Sequence, residues 1–188
     1  MLFRSHCVSY RGYKTFQLSF DNVRLGPGQI LGSEGNGLEM SGKWLTYGRI
    51  FVGASCCGKA ERLLGLATEW AATRKQFGQA IGKFQGTGFK LADMATELEA
   101  ARLLIWRAAS LVDAKAPEAT QAAAMGKRFA TDAGFRIVNE ALQLHGGYGY
   151  LKDFPIERYL RDLRVHQILE GTNEIMRVII SRRLLMGQ

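Results

Sequence analysis

Cysteine and proline are scarce in this sequence, and long apolar runs are missing. Three residues of each type occur among 188, and Cys56 and Cys57 are adjacent while Cys7 stands apart. An odd number of cysteines without a CxxC pair favours neither a zinc site nor a disulfide framework, so we expect no metal and a reducing compartment. Short apolar runs interrupted by charge predict no membrane span. The opening residues, MLFRSHCVSYRGYK, lack the apolar core of a secretory signal.

The composition is that of a globular domain. With 47% hydrophobic and 22% charged residues, the chain is not of the disordered class, and its length is sufficient for one sizeable core. The net charge of +8 favours an anionic partner such as a nucleotide or a phosphate-bearing cofactor. Basic residues are scattered along the chain, among them Arg11, Lys43, Arg62, Arg107, Arg158, Arg182 and Arg183. This dispersal is typical of a solvated surface and does not favour nucleic acid binding.

Residues 15–31, TFQLSFDNVRLGPGQIL, have the alternation of a β-strand. Phe16, Leu18 and Phe20 are separated by polar neighbours, and a Gly-Pro-Gly turn follows. A single strand or hairpin is not stable alone. We therefore interpret residues 1–35 as the remnant of a β region, or as an edge strand that awaits a partner.

From Asn36 onward the pattern is helical. A first helix is predicted from about Gly37 to Thr73, before Gly78 and Gly82 interrupt the pattern. A second helix carries apolar residues at spacings of seven, then three and four, namely Phe84, Leu91, Met94, Leu98, Ala101, Ile105, Ala108 and Val112. Such a stripe predicts a helix of some seven turns with one buried face.

A third long helix is predicted after Pro117, and it ends at the glycine-rich HGGYGY. Its apolar stripe consists of Ala122, Met125, Phe129, Ala133, Ile137, Ala141 and Leu144. A short helix near Glu157 to Asp162 and a last one from about Asn173 to Leu185 complete the set. Three long stripes with short connections predict a mainly α fold, an antiparallel helix bundle over residues 36–188.

Three glycines follow the third stripe in quick succession. Gly146, Gly147 and Gly149 lie beside Gln143 and His145. A helix end with a turn needs one glycine or two, whereas three also suit close approach of a flat or phosphate-bearing ligand to the backbone. Spacing alone leaves both interpretations open, because this is neither a Walker loop nor a GxGxxG after a strand.

The break between the first two helices, RKQFGQAIGKFQ, carries a second set of candidates. Arg74 can bind phosphate with its forked guanidinium, Phe77 can lie against a ring, and Gln85 offers both a donor and an acceptor. A polar turn between helices is the alternative interpretation.

Glu170 stands at the junction before the last helix. Thr172 is a good N-cap for that helix, and Glu174 lies in its first turn, where an acid suits the helix dipole. Glu170 itself lies outside the helix, after Ile168 and Leu169 and before a glycine. A loop carboxylate among apolar residues is suited to a general base once a bound acyl chain excludes water. A solvent-facing acid remains the alternative.

Three stretches of the sequence resemble the carboxy-terminal half of the acyl-CoA dehydrogenase family. They are FDNVRLGPGQILGSEGNG, TRKQFGQAIGKFQ and ALQLHGGYGYLKDFPIERYLRDLRVHQILEGTNEIMR. The resemblance runs from about Phe16 through nearly all of the chain, and the part from Gln143 to Arg177 is the most specific. In its last stretch it is most similar to the short- and branched-chain members.

The resemblance implies α,β-dehydrogenation of an acyl-CoA thioester by bound FAD. A glutamate removes the proton from the carbon next to the thioester while the neighbouring carbon delivers hydride to flavin N5. Glu170 stands at the usual position of that base, and Gly171 would line the substrate pocket. A few members carry the base on the first bundle helix, where this chain has Gly48, so Glu170 is left as the candidate.

The same resemblance assigns ligand contacts to four groups of residues. The first group would meet FAD phosphate and adenosine, with the last two close by: Arg74, Lys75, Gln76, Phe77, Phe84 and Gln85. The second would approach FAD from a second subunit: Gln143, Leu144, His145, Gly146 and Gly147. The third would hold the other end of the flavin: Thr172, Asn173 and Glu174. The fourth would face the CoA part of the substrate: Thr46, Tyr47, Gly48 and Arg49.

The resemblance covers neither the amino-terminal helical domain of the family nor most of its middle β-domain. It therefore implies that residues 1–35 are the end of that β-domain and that dehydrogenation needs the parts not covered. It further implies a homotetramer or dimer, an electron-transferring flavoprotein as acceptor, and a location in the bacterial cytoplasm or the mitochondrial matrix. Two other functions stay open, a non-catalytic helical assembly module and, less favoured, a DNA-binding relative.

Overall fold

The computed structural model describes residues 3–186, which contain five α-helices and four two-residue strands. Residues 1, 2, 187 and 188 belong to the predicted β remnant and helical domain, and they lie outside the described residues. The chain divides into two compact units, Met1–Leu45 and Thr46–Gln188. This division falls inside the first helix, and the boundary that we place between residues 35 and 36 stays a prediction.

The first unit contains little regular β structure. Strands β1 (Phe3–Arg4) and β2 (Phe16–Gln17) pair antiparallel, and Ser5 N donates to Thr15 O at 3.1 Å. The predicted alternation continues past β2, but the side chains of Leu18 and Phe20 are exposed there. A strand pattern is realised only where a partner strand or a packed face supports it. The strand predicted from Phe16 to Phe20 is therefore confirmed at Phe16–Gln17 and wrong beyond Gln17.

Helix α1 spans Gly37–Thr73, with the predicted bounds. Within Thr46–Gln188 it buries one face, formed by Val52, Cys56, Ala60, Leu63, Ala67 and Ala71. The spacing of three or four residues between these positions explains why one side of the helix enters the core.

A hairpin that the sequence did not predict follows α1. Strands β3 (Lys75–Gln76) and β4 (Gln79–Ala80) pair antiparallel across a two-residue turn. Phe77 (φ 51°) and Gly78 (φ 83°) both have left-handed backbone, as a primed hairpin turn requires. Two strands of two residues each are too short to show the alternation of a β-strand in the sequence. The glycines therefore predicted only an interruption of the helical pattern.

Helices α2 (Gln85–Asp113) and α3 (Ala119–His145) confirm the two predicted stripes. Phe84 alone stands outside, at the N-cap of α2. The two helices run antiparallel, and Arg136 on α3 pairs with Glu97 on α2 at 2.9 Å. They pack closely at Gly126, where an added Cβ would lie 2.9 Å from Ile105 Cδ1.

Helix α4 (Ile156–His166) is longer than the predicted 157–162, because Leu163 and His166 continue its buried face. Helix α5 (Asn173–Met186) starts at the predicted cap, with Ile175 N donating to Thr172 Oγ1 at 3.4 Å. No described helix is both long and apolar enough to cross a membrane.

The contacts between the helices show the direction in which each helix runs along the bundle. Gly53 of α1 faces Ala130 of α3 and Ile105 of α2, and Gly134 of α3 contacts Cys56. Helices α1 and α3 therefore run parallel, with α2 and α4 antiparallel to both. Gly48 and Arg49 of α1 and the loop before α5 lie at one end of the bundle, and the ends of α1 and α3 lie at the other.

Candidate functional site

The loop between α4 and α5 places Glu170 in a strained turn. Glu170 has φ 57° and Gly171 has φ 89°, so two consecutive residues adopt left-handed backbone. Glycine tolerates this conformation, whereas for a glutamate it costs about 1 kcal/mol or more unless the surroundings hold it. Strain of this kind is concentrated at functional sites.

One carboxylate oxygen of Glu170 is buried without a hydrogen-bond partner. It is Oε2, and among the described residues no other buried side-chain nitrogen or oxygen lacks a partner. The space for this carboxylate exists because residue 48 on α1 is glycine. A Cβ at Gly48 would lie 2.9 Å from the Glu170 carboxyl carbon, so any side chain there would displace the acid.

Arg49 lies directly beneath the turn. Its side chain is 6% exposed, and its Nε donates to the carbonyl oxygen of Glu170 at 3.2 Å. Burial lowers the pKa of Arg49, and the nearby Glu170 charge opposes that shift. Thr46 is also buried, whereas Tyr47 is exposed. The CoA contacts of these residues stay predictions.

Lys127 holds the other side of the turn. It is fully buried on α3, and its Nζ donates to Gly171 O at 2.8 Å and to Asn173 Oδ1 at 2.9 Å. Asn173 Nδ2 in turn donates to Thr131 Oγ1 at 2.9 Å and to Asp132 Oδ1 at 2.7 Å. The side chain of Asn173 is thus occupied inside the protein.

The sequence interpretation missed Lys127, although a signal was present. Lys127 occupies the spacing of a buried face, four residues after Ala123 and three before Ala130. A lysine in the middle of such a stripe is rarely fully buried without a specific partner.

A buried cysteine and histidine pack behind this loop. Cys56 Sγ lies 2.7 Å from His166 Nδ1, and Lys59 Nζ lies 3.4 Å from His166 Nε2. Burial raises the pKa of Cys56 to about 12. Burial, assisted by Lys59 and Lys127, lowers the pKa of His166 to about 4. Both groups are therefore neutral at pH 7, and they form part of the core.

The opposite end of the bundle contains a cavity of about 500 Å³. The ring of Trp70 stacks on His145 with centroids 4.8 Å apart, and the Arg74 guanidinium lies 5.3 Å from the Tyr148 ring centroid. Burial lowers the pKa of His145, whose Nδ1 lies 2.8 Å from Ala141 O. A cation beside aromatic faces suits a ligand that combines phosphate with a flat ring.

Two predicted groups of residues meet at this cavity. Its lining includes Arg74, Gln76, Leu144, His145, Gly146 and Gly147. Lys75, Phe77, Gln85 and Gln143 are exposed, and Phe84 contacts Phe77 with ring centroids 6.3 Å apart. The two groups therefore line one cavity of the same chain. A ligand that contacts one group in this cavity would contact the other as well.

The three glycines of this segment have different roles. Nothing lies within 4 Å of a Cβ built on Gly146 or Gly147, so their backbone is open to a ligand. At Gly149 an added Cβ would lie 2.7 Å from Leu142 O, so this glycine is required by packing. Gly146 also ends α3 with a φ of 60°, as the helix-end interpretation predicts, and the approach of a ligand to Gly146 and Gly147 stays a prediction.

The Glu170 turn and the cavity are far apart. Arg49 and Trp70 are separated by 21 residues of α1, and Lys127 and His145 by 18 residues of α3. At 1.5 Å per residue both intervals amount to about 30 Å. Thr172 and Glu174 belong to the first end, and the Glu174 side chain is mostly exposed.

Residues 35–185 match the family model of the acyl-CoA dehydrogenase carboxy-terminal domain. This chain belongs to the acyl-CoA dehydrogenase family. The match begins at the start of the helical bundle and includes both ends described above. The family and the mainly α bundle predicted from the sequence are confirmed.

Similar proteins are found among curated relatives and solved structures. Mitochondrial isobutyryl-CoA dehydrogenase of Dictyostelium discoideum is 49% identical over 170 residues, covering 90% of this chain and 41% of that protein. Butyryl-CoA dehydrogenase of Megasphaera elsdenii superposes with a TM-score of 0.93 at 39% identity, covering 97% of this chain and 48% of its own. A chain from the electron transferring flavoprotein structure of Acidaminococcus fermentans reaches 0.94 at 40% identity, covering 99% and 49%. This chain thus spans less than half the length of each.

Proposed function

We propose that this chain is the catalytic-base half of an FAD-dependent dehydrogenase that forms an α,β double bond in a short or branched acyl-CoA. Complete activity then needs the part of the family that this chain does not span. The isobutyryl-CoA and butyryl-CoA dehydrogenases to which the chain is similar support a short or branched acyl group.

The observation that carries the proposal is the unpaired, buried Oε2 of Glu170. A buried carboxylate oxygen without a partner costs free energy, and the strained turn that holds it adds to that cost. Both costs have a reason if Oε2 removes the α-proton of a bound thioester. Gly48 leaves the space for the carboxylate, and Arg49 fixes the backbone at Glu170.

The cavity at the other end fits the phosphate and adenosine part of FAD. Arg74 supplies the cation, Trp70 and Tyr148 supply aromatic faces, and Gly146 and Gly147 leave open backbone. FAD supplies the hydride acceptor of the reaction. Thr172 and Glu174 remain the proposed contacts to its other end, whereas the predicted contact of Asn173 conflicts with the bonds that its buried side chain makes inside the protein.

The separation of the two ends supports a homo-oligomer. About 30 Å between them is too far for one FAD that contacts the Glu170 side with its ring and Arg74 of the same chain with its phosphates. A second copy would supply Arg74 and Gly147, so the proposed state is a dimer or tetramer. An electron-transferring flavoprotein is the proposed acceptor, supported by the similarity to a chain in such a structure. The bacterial cytoplasm or the mitochondrial matrix follows as the proposed location.

The test combines a spectrum with a reaction. The chain is mixed with FAD and with the amino-terminal half of a relative, and bound flavin is measured by its visible absorption. Anaerobic mixing with butyryl-CoA or isobutyryl-CoA should then bleach the flavin. Retained flavin that no acyl-CoA bleaches would contradict the proposed activity, and a monodisperse monomer in light scattering would contradict the shared site.

A further inference from the structure

Lys127 is a fully buried lysine whose side chain forms its hydrogen bonds with one short loop. Its Nζ donates to Gly171 O and to Asn173 Oδ1, at the end of the turn that begins with Glu170. Burying an ammonium is expensive, and an apolar residue at the same stripe position would satisfy the helix packing. The lysine therefore requires an explanation other than the stability of the bundle.

We propose that Lys127 is a positioning residue that holds the Glu170–Gly171 turn in its strained conformation. The inference rests on the proposed function, since the group positioned is the proposed base. Lys127 acts through the backbone of the turn and through Asn173, and it touches neither carboxylate oxygen of Glu170.

The contacts around the loop show why this lysine can control the turn. Arg49 on α1 donates to Glu170 O, and Lys127 on α3 donates to Gly171 O, so two cations from different helices hold consecutive carbonyls. Two left-handed residues in succession return to ordinary backbone unless something holds them. Removing one of the two donors leaves Gly171 free to relax, and the carboxylate of Glu170 moves with it.

Further bonds close the loop on itself and on α3. Asn173 N donates to Gln167 O at 3.0 Å, and Gln167 Nε2 donates to Asp132 Oδ1 at 2.8 Å. Asn173 Nδ2 donates to the same Asp132 oxygen. Lys127 completes this set by donating to the oxygen of the Asn173 side-chain amide. Continuous hydrogen bonds therefore connect α3 to the first residue of α5.

The charge of Lys127 is maintained at neutral pH. Burial lowers the pKa of Lys127 to about 8, and Arg49 on α1 acts in the same direction. Asp132 on α3 and Glu174 on α5 oppose the shift, whereas the Cys56 thiol on α1 is neutral in this pH range. The lysine is therefore mostly an ammonium at pH 7, and its bonds to the loop are charge-assisted.

Hydrogen–deuterium exchange of the chain tests the positioning directly. The readout is the exchange rate of Leu169 and Asn173, whose amides donate to Val165 O and Gln167 O. Lys127→Met should accelerate these two amides at least tenfold relative to the core of α3. Leu63→Ala removes a fully buried side chain elsewhere in the core and serves as the control for general destabilisation. Equal acceleration across the whole chain in both variants would overturn the proposal.

A second variant keeps the test decisive if Lys127→Met does not fold. Asn173→Ala removes one acceptor of Lys127 and should accelerate the same two amides selectively. Unchanged exchange of these amides would overturn the proposal.

An activity measurement separates this inference from the proposed function. In the complemented form, Lys127→Met should lower the rate of flavin bleaching by 10- to 100-fold, while the KM for the acyl-CoA changes less than threefold, because a displaced base slows chemistry more than binding. If the parent does not bleach, the proposed function fails while the exchange experiment still tests Lys127. An accelerated loop with an unchanged bleaching rate would overturn the positioning role.

Discussion

Gly48 and Glu170 fit each other across the gap between α1 and the loop before α5. The carboxyl carbon of Glu170 lies 2.9 Å from where a Cβ on Gly48 would stand. Gly48→Ala should therefore displace the carboxylate and lower the rate of acyl-CoA-dependent flavin bleaching at least tenfold. Gly58 lies on the same helix with nothing within 4 Å of its Cβ position. Gly58→Ala is the control, and equal rates for both variants would contradict the role of the gap.

Substitution of Glu170 should stop the reaction without preventing binding. Gln keeps the volume of the side chain but cannot accept the α-proton, and loss of a general base costs about 10² to 10⁴ in rate. Glu174 is the matched control, because its side chain is mostly exposed and hydrogen bonds from its own backbone amide and from Thr172 lower its pKa. Glu174→Gln should weaken FAD retention and leave turnover measurable in stopped-flow bleaching. A Glu170→Gln variant that bleaches at the parent rate would show that the base lies elsewhere.

Arg74 should determine FAD affinity from the opposite end. Its guanidinium lies 5.9 Å from the Trp70 ring centroid and 5.3 Å from that of Tyr148, at the cavity proposed for the phosphates. Arg74→Ala should raise the Kd for FAD at least tenfold in a fluorescence titration, with a smaller effect at high salt. Arg62, an exposed arginine of α1, is the control. Similar Kd values for the two variants would place the phosphates elsewhere.

His166 should make the folded state sensitive to acid. Burial lowers its pKa to about 4, whereas an unfolded histidine has a pKa near 6.5. Below pH 6.5 the unfolded chain binds a proton that the folded chain does not, so stability falls as the pH drops from 6.5 to 4. The contribution is roughly 3 kcal/mol between pH 7 and pH 4.

Urea unfolding at both pH values measures this contribution. His166→Asn should lose less stability on acidification than the parent does, by roughly this amount. The exposed His6 serves as the control, and His6→Asn should follow the parent. Parallel pH curves for the parent and His166→Asn would contradict the neutral, buried state of the histidine.

The helices could be predicted from the sequence because their periodicity reports burial directly. The bounds of α1 and the stripes of α2 and α3 agree with the structure, since a face that repeats every three or four residues has to enter a core. The strand prediction beyond Gln17 is wrong for the converse reason. Alternation of apolar and polar residues does not produce a strand where no packed face supports it. The β3–β4 hairpin depends on two left-handed residues that composition alone does not reveal.

The residues of the candidate site likewise include one that the sequence predicts and one that it does not. Glu170 was found from its local context and from the family resemblance, both of which are properties of adjacent residues. Lys127 lies 44 residues from the loop that it contacts, so no local pattern connects the two. Its position in an apolar stripe could have marked it as unusual, but its partner depends on how α3 packs beside α5.

The distance of about 30 Å between Glu170 and Arg74 also has a consequence for genetics. If each flavin site draws its base from one chain and its phosphate cation from another, two inactive variants can rescue each other when they are coexpressed. Random pairing of Glu170→Gln chains with Arg74→Ala chains would leave about a quarter of the sites with both groups intact. Either variant alone would have little turnover at an FAD concentration below the raised Kd of Arg74→Ala, yet the coexpressed mixture would recover a measurable fraction of the parental turnover.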